Sequence, residues 1–364
     1  MAPGRRGAQT GAMESTLRTE YSLATVYLNT ASHGVLPART ARALREAVDA
    51  MATGRTDQVA GFAKVEEARR AYGRIAGIDP GRVAVGSSVA AHAGTVARSL
   101  RPGAEVVCAR DEFSSLVNPF HARGDLTVRE VPLEKLAEAV GAGTALVAVS
   151  AVQSLDGRMA DLRAVREAAR DHGARVLVDS TQALGWLPLS AAGFDYTVCD
   201  TYKWLLGPRG VSFLTLPADG GDLVPAGPGW LSARDPWATC YGAVRDPAPD
   251  ARRFDDSFAL LPGIGTAASL ALVEEVGTEA IAAHDEALAR RFRAGVARLG
   301  YEPVAGRSPI VSVPGLGAAT ADALAERGVR VSARGGRLRA SFHLYNTEAD
   351  VDRLLEALPV AGRG

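Results

Sequence analysis

The chain has 364 residues, and 47% of them are hydrophobic, which is enough to bury the cores of one large and one smaller domain. Lys plus Arg and Asp plus Glu number 41 each, so no long-range field favours nucleic acid or an anionic membrane as a partner. Three widely spaced cysteines, without the pairing typical of zinc ligands, argue against a metal site and indicate a reducing, cytoplasmic environment.

The N-terminal residues 1–19 contain no apolar run that could serve as the core of a signal peptide, and we predict a disordered tail there. No stretch of the chain approaches the roughly 20 consecutive apolar residues of a membrane helix, so no membrane partner is expected. Residues 37–53 and 58–77 follow with apolar side chains at three-or-four spacing, which predicts two amphipathic helices.

From Arg82 onwards the pattern changes to short β-rich runs, most of them separated by helical segments. The predicted strands are 83–85, 105–109, 145–152, 175–179, 196–200 and 211–216. Strands that alternate with helices favour parallel pairing through right-handed crossovers. The chain is therefore predicted to form an α/β fold with a three-layer, mostly parallel sheet.

The segment 217–262 is rich in Pro, Gly, Trp and Asp and lacks periodicity, which predicts a long loop region. Helical periodicity then returns, and a small α/β unit ends the chain. The elements predicted there are helical sequence over 265–299, strands at 310–313 and 338–342, and a helix at 348–358. We therefore divide the folded chain into a large domain, 20–262, and a small C-terminal domain, 263–364.

The most informative run of the sequence holds a carboxylate and a lysine after successive predicted strands. Asp179 ends one strand, Gln182 follows closely, and Lys203 comes after the next strand. Because ligands of open parallel sheets collect at the carboxyl ends of strands, both charged residues are expected to face one cleft. A cofactor with a basic ring nitrogen and an aldehyde needs such a pair, since the carboxylate keeps the nitrogen protonated and the lysine forms a Schiff base. Spacing alone fits a loop carboxylate and a surface lysine equally well.

The motif VLVDSTQ, followed by a lysine before an aromatic residue and a GPRG turn, resembles the cofactor site of the fold-type I, class V aminotransferase family. This family includes cysteine desulfurases, isopenicillin N epimerase, kynureninase and the ergothioneine-pathway carbon-sulfur lyase. The resemblance covers roughly residues 27–358 and implies pyridoxal 5'-phosphate as cofactor, with Lys203 as the catalytic residue that carries it. It also implies that Asp179 pairs with the pyridine nitrogen and that Gln182 approaches the ring hydroxyl.

Further positions match the family's cofactor ligands, and each has a simpler alternative. Ser87, Ser88 and Val89 open a helix after a strand, so they would bind the phosphate, although a plain helix cap fits as well. Tyr202 would donate its hydroxyl to the phosphate and Phe113 would stack on the ring, whereas both also fit as packed aromatics.

The stretch RFDDS, residues 253–257, partly resembles the segment with which this family reaches the partner subunit's phosphate. The resemblance implies Ser257 as a cofactor ligand and a homodimer with composite sites, as two-fold interfaces permit. A solvated acidic loop is the alternative interpretation.

The segment RLRASFHLYN near the C-terminus resembles the family's strand that binds the substrate carboxylate. The resemblance implies that Arg339 holds the α-carboxylate with two parallel hydrogen bonds, while Arg337, two residues away on the same strand face, is the rival. Gln153, His33 and Asn29 are expected to border the substrate, and a turn position explains His33 equally well.

Departures from the family pattern reduce the number of reactions that the resemblance allows. Cysteine desulfurases carry a cysteine in the loop just before the arginine segment, whereas residues 332–336, SARGG, contain none, so persulfide formation is not expected. The short loop and Phe113 resemble the lyase and epimerase branch. We therefore predict a lyase of secondary metabolism that catalyses β-elimination from an S-substituted cysteine or its sulfoxide, with an epimerase or aminotransferase as the alternative.

Two other classes of protein fit the sequence less well. A nucleotide-binding oxidoreductase would need a Gly-x-Gly-x-x-Gly turn after its first strand, and none occurs there. A non-catalytic homologue would have no reason to keep the Asp179, Gln182 and Lys203 set. The sequence leaves open which group the substrate carries beyond its amino-acid part.

Overall fold

The computed structural model describes residues 17–257 and 259–362. Most of the predicted tail, 1–19, lies outside these described residues, and residues 17–20 form a helical turn. Within the described ranges, no single helix has the length and apolar composition of a membrane span. The joined pair 260–276 and 278–298 passes that test only across an 81° bend.

The helices and strands follow one another in the alternation that the sequence predicts. The strands are β1 (Val26–Tyr27), β2 (Val83–Gly86), β3 (Glu105–Ala109), β4 (Thr127–Val131), β5 (Thr144–Ser150), β6 (Arg175–Asp179), β7 (Tyr196–Asp200), β8 (Ser212–Thr215), β9 (Ile310–Val313), β10 (Val329–Arg330), β11 (Ser332–Arg334) and β12 (Arg337–Ser341). The helices are α1 (Ala38–Ala52), α2 (Gln58–Ile75), α3 (Val89–Ser99), α4 (Ser114–His121), α5 (Leu162–His172), α6 (Leu260–Val276), α7 (Thr278–Arg298), α8 (Ala318–Glu326) and α9 (Glu348–Ala357).

A seven-stranded sheet with the order β2-β8-β7-β6-β5-β3-β4 forms the centre of the molecule. β8 is antiparallel to both of its neighbours, and the other pairs are parallel. The predicted α/β fold with a mostly parallel sheet is thus confirmed. β4 was not predicted, because its sequence, TVREV, contains charged residues. It is an edge strand, and each of its residues is exposed or half-buried.

Both faces of this sheet are buried, because successive side chains of its strands enter different cores. In β6, Val176 and Val178 belong to a core that includes residues of α2, α5 and α6. Leu177, between them, belongs to a second core that includes residues of α3 and α4. This alternation is the physical basis of the three-layer arrangement.

The C-terminal part of the chain forms a smaller sheet of β11, β12 and β9, with its own apolar core. Val26 and Leu28 pack into that core, and β1 pairs with β10, so a segment near the N-terminus lies against the C-terminal unit. The helical sequence over 265–299 forms two helices instead of one, because Gly277 adopts a left-handed φ of 86° between them. The domain limits 20–262 and 263–364 remain a prediction.

Candidate active site

Lys203 lies just beyond the carboxyl end of β7, in a buried position. No described residue forms a hydrogen bond with its Nζ, which lies 5.1 Å from the centre of the Phe113 ring and 5.6 Å from that of the Tyr202 ring. Burial lowers the pKa of Lys203 to about 8, although the charges of Asp179 and Asp200 oppose the shift. Roughly a tenth of the lysine is therefore a neutral, nucleophilic amine at pH 7.

Asp179 ends β6, the neighbour of β7, and is buried. Its Oδ1 accepts a hydrogen bond of 2.8 Å from the Thr181 N–H. Burial raises the pKa of Asp179, while the charge of Lys203 lowers it. A buried carboxylate and a buried lysine thus stand at adjacent strand ends, where the sequence predicts a shared cleft.

Gln182 connects the lysine loop to the N-terminal segment. Its Nε2 donates to Ala31 O at 2.9 Å, and its Oε1 accepts from Trp204 Nε1 at 2.7 Å. Trp204 follows the lysine directly, so Gln182 fixes the position of the lysine loop. One amide N–H is left for the contact with a ring hydroxyl that the resemblance implies.

The N-terminus of α3, where the sequence predicts a phosphate, is occupied by carboxylates. Ser88 caps the helix with its own Oγ. The Val89 N–H donates to Asp200 Oδ1 at 3.0 Å, and Ser87 Oγ donates to Asp256 Oδ2 at 3.4 Å. Sequence analysis singled out neither aspartate. The signal available for Asp200 was its place at the end of β7, on the same sheet edge as Asp179.

Asp200 is nearly buried and has both like and opposite charges around it. Burial raises the pKa of Asp200 to about 6, and Asp179 adds to the rise, whereas Lys203, the N–H bond from α3 and Arg209 oppose it. The Arg209 guanidinium carbon lies 3.9 Å above the centre of the Tyr202 ring. Arg209, which sequence analysis did not select, is thus a cation at this end of the cleft.

A third carboxylate, Glu112, anchors the segment before α4. It accepts hydrogen bonds from Ser150 N at 2.8 Å, Ser150 Oγ at 2.6 Å and Gln153 Nε2 at 2.9 Å. Asp111, just before it, holds a left-handed φ of 61°, a conformation that costs energy for a residue with a side chain. This backbone presents Phe113 half-exposed toward Lys203, while Gln153 is tied to Glu112.

Arg339 is buried on β12, within electrostatic range of Lys203, and is held by uncharged groups. Its Nη2 donates to Ser32 Oγ at 2.7 Å, its Nε to Ser332 Oγ at 3.2 Å, and its Nη1 to Ser154 O. In the described part of the chain no carboxylate forms a salt bridge with it. Burial lowers the pKa of Arg339 to about 10, and the charge of Arg334 acts in the same direction.

The rival Arg337 has a different environment. Its side chain is 40% exposed, and its Nη1 lies 4.0 Å from Asp156 Oδ2. Asp156 also forms a shorter salt bridge, of 2.8 Å, with Arg158. Arg337 thus faces a carboxylate of the protein, whereas the buried guanidinium of Arg339 is available for a carboxylate that arrives from outside.

The N-terminal segment packs directly on the lysine loop. The Gly34 N–H donates to Tyr202 O at 2.8 Å, and the His33 ring lies 5.6 Å from the Tyr202 ring. A Cβ at Gly34 would lie 2.2 Å from Lys203 O, so only glycine permits this approach. His33 therefore lies near the lysine, with its Nδ1 2.6 Å from Gly34 O.

Two other predicted residues make contacts with other parts of the chain or are exposed. Asn29 bridges to Ser341 of the small sheet, and its buried Oδ1 has no hydrogen-bond partner among the described residues. Ser257 is exposed, and the residue next to it, Asp256, makes the contact with Ser87. A role for Ser257 at a partner's phosphate stays a prediction.

The residues present fit the cofactor that the resemblance implies. A buried lysine with a lowered pKa suits an aldehyde, a buried carboxylate suits a pyridine nitrogen, and the hydroxyls and N–H groups at α3 suit a phosphate. The phosphate end fits only if Asp200 is protonated or moves from Val89, because its carboxylate already occupies that N–H.

The chain is similar to known proteins over most of its length. The family model described as Aminotransferase class-V matches residues 62–354. The chain is 26% identical to the uncharacterized aminotransferase YcbU of Bacillus subtilis, with 94% of this chain and 95% of that protein covered. It is 30% identical to isopenicillin N epimerase of Streptomyces clavuligerus over 80% of this chain and 83% of the relative. The cystine C-S lyase C-DES has the same fold, with a TM-score of 0.82, 23% identity, and 92% and 97% of the two chains covered.

Proposed function

Because this chain belongs to the class V aminotransferase family and uses pyridoxal 5'-phosphate to act on amino acids, we propose that it is a carbon-sulfur lyase. Its substrate would be an S-substituted cysteine or the corresponding sulfoxide. The observation that carries the proposal is the buried Lys203 amine, with a pKa of about 8, in one cleft with Asp179 and the unpaired guanidinium of Arg339.

The protein's own residues supply binding, orientation and proton transfer. When bound, the cofactor supplies an aldehyde that takes up an amine and a ring that withdraws electrons from the bonds at Cα. Asp179 would keep a proton on the pyridine nitrogen, because a buried carboxylate favours a cation beside it. Lys203 would hold the aldehyde end of the cofactor, and its amine would act as the base toward Cα of the substrate.

Arg339 fixes the substrate. A planar guanidinium binds a carboxylate through two parallel hydrogen bonds, so the α-carboxylate is held in one orientation. The serine groups around Arg339 keep the fork in place without neutralising it. This would direct the Cα–H bond toward Lys203, and Phe113, whose ring centre lies 5.1 Å from Lys203 Nζ, would cover one face of the cofactor ring and exclude water there.

The elimination balances without any further reactant except water. Lys203 Nζ takes the proton from Cα, and the electron pair left behind forms a Cα–Cβ double bond as the Cβ–S bond breaks. The thiolate, or the sulfenate when the substrate is a sulfoxide, leaves with the electrons of that bond and takes up a proton, which gives a thiol or a sulfenic acid. Water then hydrolyses the released enamine to pyruvate and ammonium.

Epimerisation is the second candidate, and the 30% identity to an isopenicillin N epimerase favours it. Inversion at Cα by a two-base route requires a proton donor on the face opposite the lysine. We propose that Phe113 covers this face, and a phenyl ring has no proton to give. Elimination needs only one base, which is why we place it first.

The experiment is to incubate the purified holoenzyme with a panel of S-substituted L-cysteines and their sulfoxides and to measure pyruvate. Pyruvate with at least one conjugate supports the lyase. In parallel, exchange of the α-hydrogen in heavy water and inversion are followed by NMR and chiral chromatography. Inversion without pyruvate would overturn the lyase in favour of the epimerase.

The choice between the two arginines has its own test. Arg339→Gln should raise KM for every amino-acid substrate by at least about tenfold, because a charge-assisted hydrogen-bonded pair is lost. Arg337→Gln, the matched variant on the same strand, should change KM less than about fivefold, since it breaks only a partly exposed ion pair. The reverse order would assign the carboxylate to Arg337.

We also propose that the enzyme is a homodimer. Several apolar side chains of α1, α2 and the loop 217–262 are exposed. They are Val48, Met51, Val59, Val224, Trp237 and Tyr241. A second copy of the chain bound at these elements would remove those side chains from water. Sedimentation equilibrium tests this, and a monomer at micromolar concentration would exclude it.

A further inference from the structure

The hairpin of β11 and β12 presents several arginines on one face. Across the hairpin, Arg334 lies opposite Arg337, and Ser332 lies opposite Arg339. Residues directly opposite each other in an antiparallel pair share a face, so three guanidiniums emerge on the side that holds Arg339. Like charges directly opposite each other destabilise a hairpin, so stability does not explain this arrangement.

Only one of the three charges has a carboxylate beside it within the described residues. Arg337 faces Asp156 at 4.0 Å. Arg339 and Arg334 instead converge on a single hydroxyl, with Nη2 to Ser32 Oγ distances of 2.7 Å and 3.5 Å. One hydroxyl can accept from both guanidiniums, but it carries no charge. Two neighbouring positive charges are therefore left for the substrate to neutralise.

The two free arginines differ in depth. Arg339 is buried, and its charge lowers the pKa of Lys203, so the guanidinium lies within electrostatic range of the lysine amine. Arg334 is exposed at the end of its strand, where Gly335 and Gly336 close the turn with left-handed φ angles of 52° and 73°. This short turn fixes the position of Arg334 relative to β12.

We infer that the substrate is an amino acid with a second carboxylate in its side chain, which Arg334 binds at the outer end of the cleft while Arg339 holds the α-carboxylate. The inference rests on the proposed function, because it uses the same cleft and the same α-carboxylate contact. It adds a specificity-determining residue and narrows the substrate to an acidic S-conjugate of cysteine.

The test compares two isosteric substrates, S-carboxymethyl-L-cysteine and S-carbamoylmethyl-L-cysteine, which differ in one charge. In the wild-type holoenzyme the acid should have a KM at least about tenfold below that of the amide, as expected for a charge-assisted hydrogen bond. Arg334→Gln should abolish this ratio, and Arg334→Glu should invert it, with kcat little changed. Arg330→Gln, an exposed arginine on the neighbouring β10, is the matched control and should keep the ratio.

A second measurement separates this inference from the proposed reaction. Binding of glutarate and of its monoamide to the holoenzyme is measured by calorimetry, so no turnover is required. Tighter binding of glutarate that is lost in Arg334→Gln supports the inference even if no pyruvate forms with any conjugate. Pyruvate formation with equal KM for acid and amide, and equal binding of the two ligands, overturns the inference and leaves the lyase intact.

Discussion

The charged residues at the two ends of the cleft differ in how well they suit a ligand. At the ends of β6 and β7, a buried carboxylate and a buried lysine of opposite sign lie where we propose that the cofactor ring binds. At the N-terminus of α3, the helix end that attracts anions already holds the Asp200 carboxylate, and Asp256 lies on the adjacent serine. The charges at the first end suit the proposed cofactor as they stand. At the second end, the Asp200 carboxylate must be protonated or must leave the Val89 N–H before a phosphate can bind there.

This difference separates residues that should affect the reaction from residues that should affect binding of the cofactor. We propose that the amine of Lys203 and the carboxylate of Asp179 act on the reacting bonds, so changes there should affect turnover by orders of magnitude. The carboxylates at α3 compete with a phosphate for the same N–H groups and for the positive end of the helix dipole. Changes there should therefore affect the binding of the cofactor. Variants at each end can therefore break or sharpen the comparison.

The largest effect is expected for Lys203→Ala. Loss of the nucleophile and base should lower kcat/KM by about 10²–10⁴-fold or more and remove the yellow colour of covalently held cofactor. Visible spectra and single-turnover rates measure both. Lys203→Arg is the matched variant, since it keeps the charge but cannot form the bond. A coloured, active Lys203→Ala enzyme would refute the assignment.

Asp179→Asn comes next. The amide has nearly the same shape but no charge, so it cannot hold the proton on the ring nitrogen, and kcat should fall by about 10²-fold or more. Cofactor content, measured after denaturation, should fall much less. Asp171→Asn removes an exposed carboxylate of α5 and controls for net charge. Unchanged turnover in Asp179→Asn would show that ring protonation does not depend on this residue.

The residues at the first end of the cleft could be predicted from the sequence, because the patterns that indicate them are local. The strand 175–179 has a continuous apolar run and the strand 196–200 one interrupted only by Thr197, and the charged residue follows at or just beyond the end of each strand. Since parallel strands share a carboxyl edge, their proximity follows from topology alone. The same reasoning gave the mostly parallel sheet but missed β4, an edge strand with charged residues.

The second end depends on contacts between distant parts of the chain. The bond between Val89 and Asp200 joins residues 111 positions apart, and the one between Ser87 and Asp256 spans 169 positions. Neither pair has a local pattern that distinguishes it from a helix start or a solvated loop. Side-chain partners of this kind are decided by tertiary packing, which periodicity and motif spacing do not report.

A smaller effect, on binding alone, is expected for Asp200→Asn. The pKa of Asp200 is about 6, so the wild-type carboxyl is mostly neutral at pH 5 and charged at pH 8, where it repels a phosphate. Pyridoxine 5'-phosphate, which lacks the aldehyde and so bypasses Lys203, is the ligand for the titration. Wild type and variant should bind it equally at pH 5, and the wild type about tenfold more weakly at pH 8. A ratio that does not change with pH would exclude the competition.

The smallest effect should come from Asp256→Asn. Burial raises the pKa of Asp256, but the residue is only partly buried, and its contact with Ser87 is 3.4 Å long. Water and salt screen such a charge more than that of Asp200, so affinity for pyridoxine 5'-phosphate at pH 8 should improve by no more than about threefold. Raising the ionic strength should shrink this gain and leave most of the gain in Asp200→Asn. If Asp256→Asn had the larger effect, the phosphate would lie at Ser87 and not at the Val89 N–H, and Asp200 would be a structural cap of α3.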